Sequence, residues 1–282
     1  MKTYILYNKL ANNGTGEAAA RKAAENWKNK EQEFRNVLEL QDYKAFLAGL
    51  APEDELLLCG GDGTLNHFAN DVDGLELKND LYFCPTGTGN DFWRDLDKGP
   101  EDGPCKINAY LKNLPKVTVN GMTRKFINGV GYGIDGYCCE VADKLRESSD
   151  KPINYTGIAI KGLLFHYQPT TATVEVDGKK TVYEKAWLAP TMYGRYYGGG
   201  MMAAPEQKRL QKDPRVTVMV MQGAGRIRTL IAFPKIFKGE HVKNKMTHTL
   251  TGKKVRVSFD RPVALQIDGE TVLNVREYSV SF

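Results

Sequence analysis

The chain has 282 residues, 41% of them apolar, and a formal net charge of +5, which provides enough apolar side chain for one large core or two modest ones. Its apolar runs all fall short of the roughly 20 residues that a membrane-spanning helix needs, and residues 1–7 lack the long apolar segment of a signal peptide. The five cysteines are odd in number and lack CxxC spacing, so we expect a protein of the reducing cytoplasm.

Short apolar runs alternate with helical stretches, such as 16–30 and 42–50, over residues 1–118. This alternation predicts βαβ units and a parallel sheet. Beyond residue 118, short runs separated by turn signals predict an antiparallel β-sandwich or barrel, with helical interruptions at 136–146 and 154–165. The predicted strands of this second part are 171–176, 181–189, 216–221, 254–259, 263–267 and 278–282. The predicted fold class is therefore α/β followed by all-β.

The glycine-rich run GGDGTLN, residues 60–66, follows an apolar run that is typical of a buried strand. Glycines let the backbone approach a pyrophosphate closely, and a helix beginning near Thr64 would point its N-terminal amides at the same anion. Asp62 would repel bare phosphate, so its presence indicates a Mg²⁺-nucleotide. The alternative is an ordinary strand-turn-helix junction in which Asp62 is a capping residue.

A second run, PTGTGND at residues 85–91, repeats this logic after the strand-like residues 81–84. Asn90 and Asp91 suit the cap of a following helix. Neither run has the lysine of a Walker loop or the spacing of GxGxxG, and the chain shows no HRD or DFG set of a protein kinase. Together the two runs predict a phosphoryl-transfer enzyme with another kind of nucleotide site.

Charge divides the chain at the same place as the secondary-structure pattern. Residues 1–118 carry 14 lysines and arginines against 19 aspartates and glutamates, whereas residues 119–282 carry 25 against 15. Between residues 226 and 254 basic and apolar residues are interleaved, which suits contact with an anionic membrane. The alternative is a solvated basic face over ordinary core residues. No recognisable motif for reading nucleic acid is present, so we expect no nucleic acid partner.

The runs GGDGTLN and PTGTGNDF resemble the diacylglycerol kinase catalytic-domain family, which includes bacterial lipid kinases and sphingosine kinases and is distantly related to NAD kinases. Further segments resemble the family in the same order, so the resemblance covers nearly the whole chain. These segments are residues 4–8 with NNGTG at 12–16, FINGVGYGID at 126–135, GGGMMAAP at 198–205 with Asp213, and DGE at 268–270.

The resemblance implies an N-terminal α/β nucleotide-binding domain, residues 1–118, and a β-sandwich domain for the acceptor, residues 119–275. It places the active site in the cleft between them and leaves open that the final strand, 276–282, packs back on the first domain. It implies ATP and Mg²⁺ as cofactors, with Mg²⁺ between the phosphates and Asp62 or Asp91. The residues assigned to the nucleotide are Asn8, Lys9, Asn12, Gly60, Gly61, Asp62, Gly63, Thr64, Asn66, Gly87, Thr88, Asn90 and Asp91.

The acidic motif near the end of the chain supplies the catalytic candidates. By the resemblance, Glu270 accepts the proton of the acceptor hydroxyl. Asp268 is assigned beside it, although Asp-Gly is also a common hairpin turn, which gives a structural role as the alternative. A second, structural Mg²⁺ site is implied at Asp213 with the carbonyl oxygens of Leu210 and Arg215, and a plain turn is the alternative there.

Some residues depart from the family's pattern. Lys9 replaces a proline, His67 a glutamate and Pro214 a glycine. Thr118 falls where the family has an aspartate of the acidic network around the metal, and Asp135 is a candidate substitute from a neighbouring strand.

The predicted function is an ATP- and Mg²⁺-dependent lipid kinase that phosphorylates the hydroxyl of a membrane lipid, with diacylglycerol, which gives phosphatidic acid, as the leading acceptor. The alternatives are a kinase of another lipid alcohol or of a soluble acceptor, and a nucleotide-binding regulatory protein without catalysis, which Thr118 keeps open. We expect a cytoplasmic protein that contacts anionic membranes peripherally. The sequence leaves the oligomeric state open, a homodimer included.

Overall fold

The chain divides into two units, Met1–Leu114 and Pro115–Phe282. The structure is a computed structural model that describes residues 1–27, 31–87, 90–99, 101–148, 153–223 and 225–282. The sequence places the boundary between the domains after residue 118, within a strand of the second unit. Each unit has its own sheet.

The first unit is built on a mixed sheet. Its strands are β1 (Lys2–Tyr7), β2 (Glu31–Asn36), β3 (Glu55–Gly60), β4 (Asp80–Pro85) and β5 (Cys105–Lys106). They lie in the order β2-β1-β3-β4-β5, and the first four are parallel while β5 runs antiparallel to β4. The helices are α1 (Ala11–Gly14), α2 (Gly16–Ala23), α3 (Tyr43–Ala48), α4 (Asp62–Asp71), α5 (Asp91–Asp95) and α6 (Asn108–Leu111). The α/β prediction for this part of the chain is confirmed.

The central strands are continuous apolar runs because helices cover them. Residues 56–59 of β3 are buried almost completely, as expected for a parallel strand with both faces covered. On one face, Ala20 of α2 and Ala24 pack against Ile5 and Leu57. The predicted helix 16–30 is shorter in the structure, because α2 ends at Ala23 and a 3₁₀ turn, Ala24–Trp27, follows it; residues 28–30 lie outside the described residues.

The second unit is an antiparallel sheet. Its strands are β6 (Lys116–Val119), β7 (Met122–Lys125), β8 (Gly129–Tyr132), β9 (Thr170–Val176), β10 (Lys179–Leu188), β11 (Thr191–Met192), β12 (Val216–Gln222), β13 (Thr247–Gly252), β14 (Val255–Ile267) and β15 (Glu270–Ser281). The strands follow one another as β7-β6-β15-β14-β8-β11-β12-β10-β9, and β13 pairs with β12. Since β9 also pairs with β14, the sheet closes on itself. The prediction of an antiparallel sandwich or barrel is confirmed.

Helical segments cover one apolar cluster of the second unit. They are α7 (Ile134–Ser148), α8 (Tyr155–Lys161), a π-helical turn (Gly162–His166), α9 (Arg226–Ala232) and two 3₁₀ segments (Phe233–Lys238 and Glu240–Lys243). Ala159, Leu163 and Ile236 from these segments pack with Trp187 and Met219 of the sheet. Among the described residues, no helix is long and apolar enough to cross a membrane.

The last two strands are longer than the sequence pattern suggests. The predicted strands 254–259 and 263–267 form the single strand β14, whose residues 255–259 pair with β9 and whose residues 265–267 pair with β8. Pro262 falls between these two ladders, where its missing N–H costs no hydrogen bond. The predicted strand 278–282 is the end of β15, which pairs with β14 and with β6, both in the second unit.

Candidate active site

The two glycine-rich runs leave the first sheet side by side. β3 and β4 are parallel neighbours with Gly60 opposite Pro85, and the Thr86 N–H donates to the Gly60 carbonyl oxygen at 2.9 Å. Ligands of open α/β sheets bind beyond the carboxyl ends of the strands. Both runs therefore begin at the edge of the sheet where a nucleotide is expected.

Two of the glycines are required because neighbouring atoms leave no room for a Cβ, backbone atoms at Gly87 and the Thr64 side chain at Gly60. A Cβ atom at residue 87 would lie 2.8 Å from the Gly61 Cα, and one at residue 60 would lie 2.4 Å from the Thr64 Cβ. Gly63 differs, because it is exposed and a Cβ there would meet nothing within 4 Å. The open side of Gly63 leaves room for a ligand at the first turn of α4.

The Asp62 carboxylate caps helix α5. Its Oδ2 accepts the N–H of Asp91 at 2.8 Å, and its Oδ1 accepts the N–H of Phe92 at 3.0 Å. Asp62 is therefore a capping residue, which was the alternative from the sequence. It caps α5, however, and not α4, the helix in which it lies. A carboxylate oxygen can accept more than one hydrogen bond, so these two bonds alone do not prevent a hydrated cation from binding at Asp62.

In this pair of loops, an anion bound at a helix N-terminus would fit α4 better than α5. Asp62 already accepts two of the first amides of α5, and α5 is only five residues long. Helix α4 has ten residues and begins where the Leu65 N–H donates to the Gly61 carbonyl oxygen at 3.1 Å. Its first-turn amides, at residues 62–64, have no acceptor within the helix.

Two buried oxygen atoms of the second loop have no hydrogen-bond partner among the described residues. They are Thr86 Oγ1 and Asn90 Oδ1. The Asn90 Nδ2 donates to the Gly87 carbonyl oxygen at 2.7 Å, which fixes the amide group. Buried polar atoms are normally hydrogen-bonded, so these two oxygens fit a polar ligand such as a nucleotide. Thr88, assigned to the same ligand, lies outside the described residues.

The first loop, after β1, is held mainly by its own contacts. Asn8 Oδ1 accepts the Leu10 N–H at 2.9 Å, and the Asn8 carbonyl oxygen leaves no room for a Cβ at Gly16. The Lys9 ammonium lies 3.3 Å from Glu39 Oε1. Asn12 lies in α1. The structure thus gives Lys9 a carboxylate partner, and its predicted contact with phosphate stays a prediction.

Three other residues assigned to the nucleotide are buried. Thr64 packs against Gly60, and the Asn66 carbonyl oxygen accepts the Asn70 Nδ2 at 2.9 Å. Asp91 Oδ1 lies 3.6 Å from Arg94 Nη1. The described residues contain no cluster of three or more His, Cys, Asp or Glu suited to a metal. Mg²⁺ is commonly bound by one or two carboxylates with substrate phosphates and water, so Asp62 and Asp91 fit that mode of binding.

In the second unit, Asp268 fixes the turn between β14 and β15. Its Oδ1 accepts the N–H groups of Asn128 and Gly129 at 2.8 and 2.9 Å, and its Oδ2 accepts that of Ile127. Its φ of 46° is the left-handed conformation that Asp-Gly hairpin turns require. These contacts support the structural alternative for Asp268, in which it holds the turn in place.

Glu270 is the first residue of β15, directly after that turn. Its Oε2 forms an ion pair with Arg124 Nη1 of β7. Arg124 is the more enclosed of the two side chains, and the Glu270 carboxylate stays partly exposed. The structure thus places Glu270 directly after a hairpin turn, paired with Arg124 and partly open to solvent.

Two arginines of this region are not predicted from the sequence. Arg124 contacts Glu270 across 146 residues of sequence. The buried Arg209 donates from Nη2 to Asn128 Oδ1 at 2.6 Å and from Nη1 to the Ile127 carbonyl oxygen. Arg209 and Asp268 therefore hold the same backbone segment. No local motif surrounds either arginine, so only the folded chain, which brings distant segments together, identifies them.

The assigned structural metal site fits a cation poorly. The Asp213 carboxylate lies 2.8 Å from Arg215 Nη2 and forms a second ion pair with Lys253 Nζ. Hydrogen bonds from Lys253 and Arg215 hold the pKa of Asp213 below its usual range. Leu210, whose carbonyl oxygen was assigned to the same metal, has an exposed side chain. Two side-chain cations thus already neutralise the carboxylate that would bind Mg²⁺.

Residue 118, a threonine where the family has an aspartate, lies on the surface of the second unit. Thr118 is exposed on β6, with its Oγ1 2.9 Å from Thr123 Oγ1. Asp135 is buried in the first turn of α7, where it accepts the Tyr197 hydroxyl and the Gly136 N–H, both at 2.9 Å. Burial raises the pKa of Asp135 to about 6. Asp135 therefore belongs to the core and does not replace an exposed carboxylate at Thr118.

Comparison with known proteins covers both units. Residues 2–126 match the model of the diacylglycerol kinase catalytic domain, and residues 128–277 match that of the YegS C-terminal NAD kinase beta sandwich-like domain. A diacylglycerol kinase of Mycobacterium tuberculosis (strain H37Rv) is 25% identical over 267 residues, which is 91% of this chain and 84% of the relative. One of Bacillus subtilis (strain 168) is 27% identical over 230 residues, 79% of this chain and 73% of the relative.

Solved structures have the same fold. The crystal structure of a diacylglycerol kinase from Bacillus anthracis Sterne matches with a TM-score of 0.68 at 20% identity, over 99% of this chain and 93% of that chain. The two family models together span nearly the whole chain, in the order of its two units. With the relatives named diacylglycerol kinase, they show that the chain belongs to the diacylglycerol kinase catalytic-domain family and is a lipid kinase.

Proposed function

We propose that the protein transfers the γ-phosphoryl group of ATP to the hydroxyl of a membrane lipid, with diacylglycerol as the leading acceptor and phosphatidic acid as the product. The observation that carries this proposal is the packing of two glycine-rich loops around the N-terminus of α4. The relatives named diacylglycerol kinase support the choice of acceptor.

The first unit would bind the nucleotide. The α4 amides at residues 62–64 would donate to the phosphates, and the open side of Gly63 would let them approach. Thr86 Oγ1 and Asn90 Oδ1 would gain the partners that the described residues do not provide. Asp62 and Asp91 would hold Mg²⁺, which neutralises phosphate charge when bound.

The second unit would supply the proton acceptor. The lipid hydroxyl oxygen attacks the γ-phosphorus, the bond to the β,γ-bridging oxygen breaks and ADP leaves. Glu270 would take the hydroxyl proton, which typically contributes ~10²–10⁴ in rate. Arg124 would orient the Glu270 carboxylate, and Asp268 would set the turn before it through three backbone N–H groups.

The lipid acceptor determines where the enzyme works. We propose that it acts in the cytoplasm and binds anionic membranes peripherally, because the acceptor hydroxyl lies at a bilayer surface and the second part of the chain is rich in basic residues. Of the alternatives from the sequence, another lipid alcohol agrees with membership of this family of lipid kinases, whereas a soluble acceptor and a regulatory protein that binds nucleotide without catalysis do not.

The test is transfer of label from γ-labelled ATP into mixed micelles that carry a panel of lipid alcohols. We expect label in diacylglycerol, and we expect Glu270→Gln to lose about 10²-fold or more of the rate. Glu277→Gln is the matched control, since Glu277 lies on the same strand and pairs with Arg256 as Glu270 pairs with Arg124. We expect the control to retain wild-type activity.

Four other outcomes would contradict parts of the proposal. Label in a different lipid would replace diacylglycerol as acceptor. Label only in a soluble alcohol would show that the acceptor is not a lipid. ATP binding without any labelled product would favour the regulatory alternative. Equal activity of Glu270→Gln and Glu277→Gln would remove Glu270 as the base.

A further inference from the structure

The segment formed by α9 and the following 3₁₀ turn, residues 226–238, is apolar on both sides. Thr229, Ala232 and Ile236 face inward and are buried. Three large apolar side chains face outward: Ile227 is 70% exposed, Ile231 66% and Phe237 47%. A surface helix normally turns polar residues to solvent, so packing of the core does not account for these three.

The outward side of this segment is also basic. Arg228, Lys235 and Lys238 are exposed between the apolar residues. No aspartate or glutamate occurs from residue 214 to 239. The exposed cations therefore have no acidic neighbour in the same segment.

A second helical segment continues this surface. Phe165 in the π-helical turn is 70% exposed, and the turn packs beside α9, where Arg226 Nη1 donates to the Leu163 carbonyl oxygen at 2.7 Å. Residues 153–174 again contain no acidic residue. We call the set of outward side chains the docking face. It comprises Phe165, Ile227, Arg228, Ile231, Lys235, Phe237 and Lys238.

We propose that the docking face inserts its apolar side chains into the headgroup region of a bilayer that contains anionic lipid. This inference rests on the proposed function, because it names the surface by which the kinase would reach its acceptor. A helical surface with large apolar residues and cations, but no acids, matches the interface of an anionic bilayer. Each basic residue near such a surface strengthens binding roughly fivefold. A second copy of the chain fits less well, because identical cations would face one another.

The experiment is sedimentation of the full chain with vesicles of mixed phosphatidylglycerol and phosphatidylcholine, and with phosphatidylcholine alone, without ATP. We expect binding to the mixed vesicles at low salt and weaker binding at high salt. The variant Ile227→Ser/Ile231→Ser should bind at least about tenfold more weakly, since each isoleucine loses apolar burial. Lys235→Gln/Lys238→Gln should bind the mixed vesicles more weakly and with less dependence on salt.

The matched control is Leu38→Ser/Val182→Ser, which removes two exposed apolar side chains outside the docking face, 50% and 59% exposed. We expect the control to bind vesicles as the wild type does, and circular dichroism melting checks that every variant is folded. Wild-type binding by Ile227→Ser/Ile231→Ser would overturn the proposal. A dimer in analytical ultracentrifugation that this variant dissociates, with no vesicle binding by the wild type, would assign the face to self-association instead.

The two proposals fail separately. Vesicle binding is measured without ATP or acceptor, whereas the proposed function is measured in micelles. A protein that binds anionic vesicles through the docking face but labels no lipid would support this inference and contradict the proposed acceptor. A protein that labels lipid in micelles but ignores vesicles would do the reverse.

Discussion

A single carboxylate joins the two loops of the nucleotide-binding unit. Asp62 begins α4 in the first loop, and its two oxygens accept the first amides of α5 in the second. Gly61 and Gly87 bring the same two loops into backbone contact. The position of one loop is therefore fixed by the other, which prepares the first turn of α4 before any ligand binds.

Substitutions at two glycines should distinguish the effect of these loops on stability from their effect on ATP binding. We expect Gly87→Ala to lower the free energy of unfolding by about 1–3 kcal/mol, because the added methyl group has no space. Gly63→Ala should leave stability unchanged or raise it by about 0.5–1 kcal/mol, because alanine favours a helix. It should still weaken ATP binding, since its methyl group would occupy the open side of α4. Urea unfolding and ATP titration by calorimetry measure the two effects.

Gly103→Ala serves as the control for this pair, because Gly103 is also exposed and a Cβ there would meet nothing within 4 Å. It should change neither stability nor ATP binding by more than a small amount. Unchanged ATP affinity in Gly63→Ala would remove the α4 N-terminus as the phosphate site.

At this scale the sequence pattern predicts residue types better than residue partners. An apolar run that ends in glycines indicates a strand and a tight loop at Gly60 and Gly61. The pattern cannot show that Asp62 caps a helix that begins 29 residues later, because capping motifs are read within a few residues. Arg124 and Glu270 are still further apart, and only the fold of β7 and β15 brings them together.

Whole elements were predicted where hydrophobic periodicity is strong. The alternating run of β9 was predicted within one residue of its observed bounds. Helix α9 was missed because its outward isoleucines obscure the period of an amphipathic helix. The single strand β14 was predicted as two strands on either side of Pro262, because proline lacks the N–H of a regular β-ladder. In the structure, Pro262 lies between the part of β14 that pairs with β9 and the part that pairs with β8.

The connection between residue 210 and β12 gives a prediction about metal removal. Lys253 and Arg215 already neutralise Asp213, so we expect this loop to be stable without a bound cation. We expect Mg²⁺ and EDTA to change the melting temperature of the wild type and of Asp213→Asn by the same amount, within about 1 °C. Differential scanning calorimetry without nucleotide makes the comparison.

A control variant tests the reason for this expectation. Lys253→Met removes one of the two cations, and we expect its melting temperature to gain a dependence on Mg²⁺ that the wild type lacks. If Mg²⁺ instead stabilises the wild type by several degrees more than Asp213→Asn, the carboxylate binds a metal despite its two neighbours, and the family's structural site is present.

At the scale of the molecule, the boundary between the units can be tested with fragments. β6 begins at Lys116 and pairs with β7 and β15, so it belongs to the sheet of the second unit. We expect fragment 115–282 to melt cooperatively, and fragment 119–282 to melt at a lower temperature because it loses most of β6. Trp187 fluorescence reports on the core of this unit.

Two other results of the fragment comparison would contradict this expectation. Equal melting temperatures would place the boundary after residue 118, as the sequence predicts. Failure of both fragments to fold would mean that the second unit depends on the first. The same measurement on fragment 115–282 with Val182→Ser checks that a surface change alone has little effect.

The pairing of β9 with β14 also has a consequence for solubility. Unpaired strand edges are sites at which β-proteins aggregate or exchange strands. Ring closure removes such edges from six of the strands, and among the described residues it leaves β13 and the four-residue strand β7 as the unpaired margins of this sheet. In the other sheet, β2 and the two-residue strand β5 form the margins, and β2 carries Glu31, Glu33 and Arg35. Charge on β2 and the shortness of β5 and β7 thus guard three of these four margins against edge-to-edge association, and β13 is the margin at which such association is expected first.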